Sequence, residues 1–121
     1  GDVAGDVTPT MDGPPDRTAR IGTAGLVTAV LAHLVWDPAV TLVGVATFGI
    51  AEEDAPVVRS LLRIHPAAWL AAKLVVVGGF AAVVVRIGAH RNPVTAWLLW
   101  LVALLGVVAP LGWLELLAAG G

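Results

Sequence analysis

The chain has 121 residues, of which 58% are hydrophobic and 13% charged, with a mean hydropathy of +0.89. A soluble domain carries about 25% charged residues, so charge this sparse excludes an ordinary water-soluble globule, and hydrophobicity this high excludes a disordered chain. What remains is a small integral membrane protein. The formal net charge of −2 gives no pull toward nucleic acid, and the lack of cysteine excludes disulfides, thiolate nucleophiles and thiolate metal sites. Six Arg against a single Lys, in a background of Ala, Val, Gly and Asp, is the usage expected of a GC-rich genome such as that of a halophilic archaeon. Without tyrosine, an aromatic belt rests on the five Trp.

Residues 1–17 are rich in Asp, Gly and Pro with no apolar period, the pattern of an irregular segment, and they lack the basic start and apolar middle of a signal peptide. They divide the chain into an N-terminal tail (1–17) and a transmembrane domain (18–121). Ile21 to Ala51 is a 31-residue apolar stretch broken by His33 and Asp37. As one helix it would measure about 46 Å, more than the roughly 30 Å hydrocarbon core. Pro38 lies inside it. Either the stretch is one long helix bent at Asp37–Pro38, or Asp37 caps a second helix that starts at Pro38. A hairpin there would strand backbone groups near hydrocarbon, so the single helix is favoured. A residue before proline is biased away from helical geometry, so Asp37 is expected to mark a bend.

Glu52, Glu53 and Asp54 end this stretch, and Asp54-Ala55-Pro56 opens a short helix with acidic residues at its positive end. Val57, Val58, Leu61, Leu62 and Ile64 share one side of it and Arg59 and Arg63 another, as in a helix lying at the membrane interface. Ala67 to Arg86 forms the next span, with Lys73 as its interior charge. Its Gly and Ala pairs at small-xxx-small spacing would let another helix approach closely. After a polar connection from Arg86 to Arg91, Asn92-Pro93 opens a third helix, and Val94 to Leu114 carries no charge. Trp97 and Trp100 near one end and Trp113 near the other read as interface anchors, and Pro110 as a kink. With three spans, Arg17, Arg20, Arg86 and Arg91 share a side opposite Arg59 and Arg63, which favours a cytoplasmic N-terminus.

An ionisable group in hydrocarbon costs at least ~2.5–3.5 kcal/mol on insertion scales, so Asp37 and Lys73 demand partners. On a regular helix Gly22, Ala29, His33, Asp37, Thr41, Gly44 and Thr47 share a face of small and polar residues. His33, Asp37, Thr41 and Lys73 therefore form a candidate intramembrane polar cluster. Read functionally, it is a relay or binding site, with Asp37 accepting a proton or cation, His33 beside it and Lys73 as counter-charge. Read structurally, the commoner case in small membrane proteins with so few polar groups, it is a buried bond that fixes helix register. Lys73 can instead snorkel to the head groups, and Asp37 can pair with another protein. Glu52, Glu53 and Asp54 form a second, interfacial acidic cluster. Three histidines in separate regions, no HExxH, no GxSxG and a lone Ser60 offer no metal or catalytic constellation.

Asp37-Pro-Ala-Val-Thr41, followed by Gly49-Ile-Ala-Glu52-Glu53-Asp54-Ala55-Pro56 and then Lys73, resembles a family of short uncharacterised prokaryotic membrane proteins. Its members have two or three helices, Asp and Thr one turn apart in the first span, an acidic Glu-x-Asn-Pro turn and an early Lys in the second. The resemblance covers about residues 20–90. Asp37, Thr41, Gly49, Glu53, Pro56 and Lys73 fit, Ala55 replaces the Asn, and Pro38 is an addition. It implies a single first helix and groups Asp37, Glu53 and Lys73, without supplying an activity.

The expectation is an all-α protein of three transmembrane helices, the first long and kinked at Pro38, plus one short interfacial helix, with no cofactor. Two roles fit it. One is a non-enzymatic accessory or assembly subunit of a larger membrane complex or lipid-containing particle, other membrane subunits contacting residues 1–17 and the small-residue helix faces. The other is a homo-oligomeric protein that passes protons or a small cation past Asp37.

Overall fold

The computed structural model describes residues 17–120. The expectation of an irregular tail falls on residues 1–16, outside the described residues, while Arg17 already belongs to the first helix. Helix α1 (Arg17–Leu31) runs through a π-helical turn (Ala32–Trp36) into α2 (Asp37–Phe48). A 3-10 turn (Ile50–Glu52) leads to α3 (Pro56–Ile64) and α4 (Pro66–Ile87), and a second (Ala89–Arg91) leads to α5 (Pro93–Val108) and α6 (Leu111–Gly120). Among the described residues there is no strand, and three stretches are long and apolar enough to cross a membrane: Arg17–Phe48, Pro66–Ile87 and Pro93–Gly120.

The first stretch is one continuous helix, with no hairpin at Pro38. Contrary to the expectation for a residue before proline, Asp37 is helical, at φ −61° and ψ −48°. The preceding turn absorbs the proline instead. The Asp37 N–H reaches back five residues to the Ala32 carbonyl, so the helix widens before the ring that would otherwise press on the Leu34 carbonyl.

The widening also aligns two faces. Upstream, Gly22, Gly25, Leu26, Ala29 and Ala32 are buried; downstream, Asp37, Pro38, Val40, Thr41 and Gly44 are. At 100° per residue Asp37 would stand about 80° around the axis from Ala29, and Thr41 about 120°. One extra residue in the turn removes about 100°, which brings both to within about 20° of Ala29. Thr47, assigned to the same face by uniform helical spacing, is exposed, and its hydroxyl bonds the Val43 carbonyl one turn back. Gly49, at φ +96°, then ends the span in a conformation that favours glycine.

The first and third spans run side by side in the same direction, and small residues set their spacing. A Cβ added at Gly22 would strike the His90 carbonyl, one at Gly44 the Trp113 indole, and one at Gly106 the His33 ring. The seam is tied by side chains bonded to backbone carbonyls: Trp100 Nε1 to Ile21 at 2.9 Å, His33 Nε2 to Val102 at 2.8 Å and Trp36 Nε1 to Val107 at 2.9 Å. The second span runs antiparallel to both, its Val84 packing with Leu26 and Leu99 at one end. Within this chain nothing lies within 4 Å of a Cβ at Gly78 or Gly79 of the second span, so its small-residue face is left uncovered. The close packing is done by the glycines of the first and third spans instead.

The caps follow local chemistry. Asn92 Oδ1 accepts from the Val94 and Thr95 N–H groups, and His65 Nδ1 from the Ala67 N–H. On α3, Leu62 is buried while Val57 and Ile64 are exposed, leaving an apolar edge beside Arg59 and Arg63. Pro110 separates α5 from α6, and its carbonyl accepts from the Trp113 and Leu114 N–H groups. The third apolar stretch extends to Gly120, beyond the Leu114 expected.

Because the Gly22 site abuts backbone, Gly22→Leu should lower stability by about 1–3 kcal/mol or more. Gly79→Ala, facing open space, should be neutral or slightly stabilising. Denaturant titration of both variants in maltoside micelles, followed by circular dichroism, measures the difference; equal loss in both would refute the packing seam.

Candidate functional site

Asp37 and Lys73 meet because the first two spans are antiparallel and the widened turn points Asp37 at α4. Lys73 Nζ donates to Asp37 Oδ2 at 2.5 Å, and Thr41, one turn on, donates from Oγ1 to Asp37 Oδ1 at 3.1 Å. Both carboxylate oxygens thus have donors. Asp37 is 8% exposed and Thr41 2%. The Lys73 ammonium also lies over the Trp69 ring, 5.4 Å from its centre, so a carboxylate and an indole face hold it together. Snorkelling away from this pair is not what Lys73 does.

His33 does not join them. Its Nε2 faces the Val102 carbonyl, which can only accept, so Nε2 carries the proton. The extra residue between His33 and Asp37 turns their side chains apart, which uniform helical spacing could not foresee.

From Asp37 a partly open cavity of about 490 Å³ leads toward the end of the bundle that carries the first connection and the C-terminal helix. Asp37, Glu52, Glu53, Asp54 and Glu115 line it, and these are all the Asp and Glu residues among the described ones. Trp69 and Trp113 supply aromatic wall, both almost fully buried. The interfacial acidic cluster and the intramembrane cluster, separate in the sequence, therefore open onto one space. Glu53 also holds that space in shape: Oε1 accepts from the Ala55 N–H at 3.2 Å and Oε2 from Trp113 Nε1 at 2.8 Å. Trp113, read from the sequence as an interface anchor, packs on Gly44 and donates to Glu53.

Sequence reasoning missed Trp69, Trp113 and Glu115. Trp69 precedes Lys73 by one helical turn, a spacing at which side chains meet. Glu115 is the one charge after Arg91, in an otherwise apolar run. Trp113 carried no signal, because its approach to Gly44 depends on spans distant in sequence.

The opposite end of the bundle carries Arg17 and Arg20 at the start of the first span, with Arg86 and Arg91 around the second connection. The described carboxylates thus lie toward one end, which also carries Arg59 and Arg63, and the other four arginines lie at the opposite end.

A family model for a domain of unknown function, DUF5658, matches residues 28–112. The chain belongs to that family. The matched region includes Asp37, Thr41, the acidic connection, Trp69 and Lys73, and it stops before Trp113 and Glu115. No curated protein matches the chain, and no solved structure matches it. The match agrees with the resemblance to a family without an assigned activity, and the geometry has to carry the functional argument.

Asp37→Asn leaves Lys73 without its counter-charge and should destabilise the fold by about 3–5 kcal/mol. Asp37→Asn combined with Lys73→Met removes both charges and should recover most of that loss. Denaturant midpoints for the single and double variants complete a double-mutant cycle. Purely additive effects would mean that the pair contributes no coupling.

Proposed function

We propose that this is a non-enzymatic membrane protein that binds protons or small cations at Asp37 and exchanges them with one side of the membrane. The observation that carries the reading is the location of Asp37, on a membrane-length helix and in the wall of a cavity shared by all the described carboxylates. An ionisable group inside a span is costly, and such groups pair with one another and mark ion pathways and proton relays. A cleft lined by one sign of charge raises the local concentration of its counter-ions. Lys73 donates to one oxygen of Asp37 and Thr41 to the other. A proton or cation reaching Asp37 weakens its hold on the ammonium, so occupancy is coupled to the contact between the first two spans.

In this reading the N-terminus is cytoplasmic, as the four arginines at that end favour, and the cavity opens on the other side. Cysteines introduced at positions 20, 60 and 91 report the arrangement, since the native chain has none. In inside-out vesicles a membrane-impermeant maleimide should label positions 20 and 91 and spare 60. Labelling of all three would remove the three-span arrangement on which the reading rests.

The transport step is tested in proteoliposomes under an imposed proton or sodium gradient. Wild-type protein should dissipate one of these gradients, and Asp37→Asn/Lys73→Met, which lacks the exchangeable carboxylate, should slow this by more than about tenfold. A folded double variant as active as wild type would refute the proposal.

A second reading, an accessory or assembly subunit, is favoured by the second span. It is the least covered of the three, with Leu74, Val75, Val76, Val83 and Val85 exposed, and Gly78 and Gly79 facing open space. Co-purification of a second membrane protein in mild detergent would favour it. A homo-oligomer alone would favour transport.

A further inference from the structure

We infer that the groove beside His33 binds a hydroxyl-bearing hydrophobic molecule dissolved in the bilayer, and that His33 Nδ1 accepts a hydrogen bond from that hydroxyl. This groove shares no lining residue with the acidic cavity, so the site stands whether or not that cavity passes ions.

The groove holds about 330 Å³, at the low end of the range of small-molecule sites. Leu26, Ala29 and His33 of the first span line one wall, and Val76, Val77 and Phe80 of the second line the other. Every lining side chain except His33 is hydrocarbon. Val76 and Phe80 are exposed, so the groove is reached from outside the bundle rather than sealed within it. His33 stands about midway along Arg17–Phe48, and Val76 about midway along Pro66–Ile87. At that depth the surroundings of a membrane-spanning bundle are hydrocarbon. A hydrophobic molecule therefore enters the groove without leaving the bilayer.

A lipid chain alone would fill such a groove, and one atom selects a more particular occupant. His33 turns its Cδ2–Nε2 edge to Gly106, and Nε2 donates to the Val102 carbonyl. Nδ1 lies on the other edge of the ring. With the proton on Nε2, Nδ1 of the neutral ring is an acceptor, and none of the described residues donates to it. Among the described residues the sealed side-chain nitrogen or oxygen left without a partner is His90 Nδ1. His33 Nδ1 is thus not sealed: it borders open space, which is the groove that its ring lines. An acceptor in apolar surroundings is unfavourable without a donor, most of all where no water is at hand. A hydroxyl supplies that donor, and an ether or a bare hydrocarbon does not. The Val102 bond fixes both the ring and its tautomer, so Nδ1 is held in place before any ligand arrives.

The experiment uses the full chain with isotopically labelled histidine in phosphatidylcholine nanodiscs, and follows the His33 Nδ1 resonance by nitrogen NMR. The probe is para-octylphenol, and its methyl ether is the control that lacks the donor. The resonance is assigned by its absence in His33→Phe or, should that variant not fold, by elimination with His65→Asn and His90→Gln. Octylphenol should move it saturably, at a mole fraction at least about fivefold lower than the ether requires. Val77→Phe, which fills the groove from its half-buried wall, should abolish the response while leaving helicity intact. A resonance that ignores octylphenol, as it would with water already bound to Nδ1, overturns the inference. So does an equal response to phenol and ether, which would mean that the groove takes hydrocarbon without regard to His33. A full response in folded Val77→Phe places the probe elsewhere and overturns it as well.

Discussion

Asp37 carries a carboxylate into a helix of membrane length, and Lys73 has to stand opposite it on the next span for that charge to be stable. Hydrocarbon offers no water to either group, so the register of the first two helices is fixed where these side chains meet. Thr41 satisfies the second carboxylate oxygen and Trp69 the open side of the ammonium. Breaking one member leaves another charged and uncompensated, which makes this pair costly to disturb.

The pair can form only because the first span accommodates Pro38 without reversing. A π turn is less well packed than an α turn, and here it serves two ends: it takes the proline and it rotates the downstream face. Without that rotation the glycine and alanine seam facing α5 would be out of register with the Asp37, Thr41 and Gly44 face. His33 sits inside the turn and spends its Nε2 proton on the Val102 carbonyl. This bond gives His33 a structural role in holding the third span against the widened helix.

Carboxylates are gathered toward one end of the bundle, beside Arg59 and Arg63, as well as paired within it. The described carboxylates open onto one cavity, while four arginines stand at the far end. The Glu53–Trp113 bond ties the first connection to the last helix and so keeps the acidic mouth from collapsing.

Composition and pattern alone determined the class of the protein. Long apolar runs, flanking arginines and the Asn92-Pro93 start specify helices of membrane length because these signals are local. The need of Asp37 and Lys73 for partners was equally legible, since it follows from the cost of charge in hydrocarbon. Which partner each takes was decided by the tertiary structure. Uniform helical spacing puts His33 beside Asp37 and Thr47 on the inner face, but one extra residue in a single turn undoes both assignments. Nor does any local signal bring Trp113 onto Gly44, or gather Glu52, Glu53, Asp54 and Glu115 around the cavity that Asp37 lines. Those meetings depend on three spans packing parallel and antiparallel, and packing between distant segments leaves no periodicity in the sequence to read.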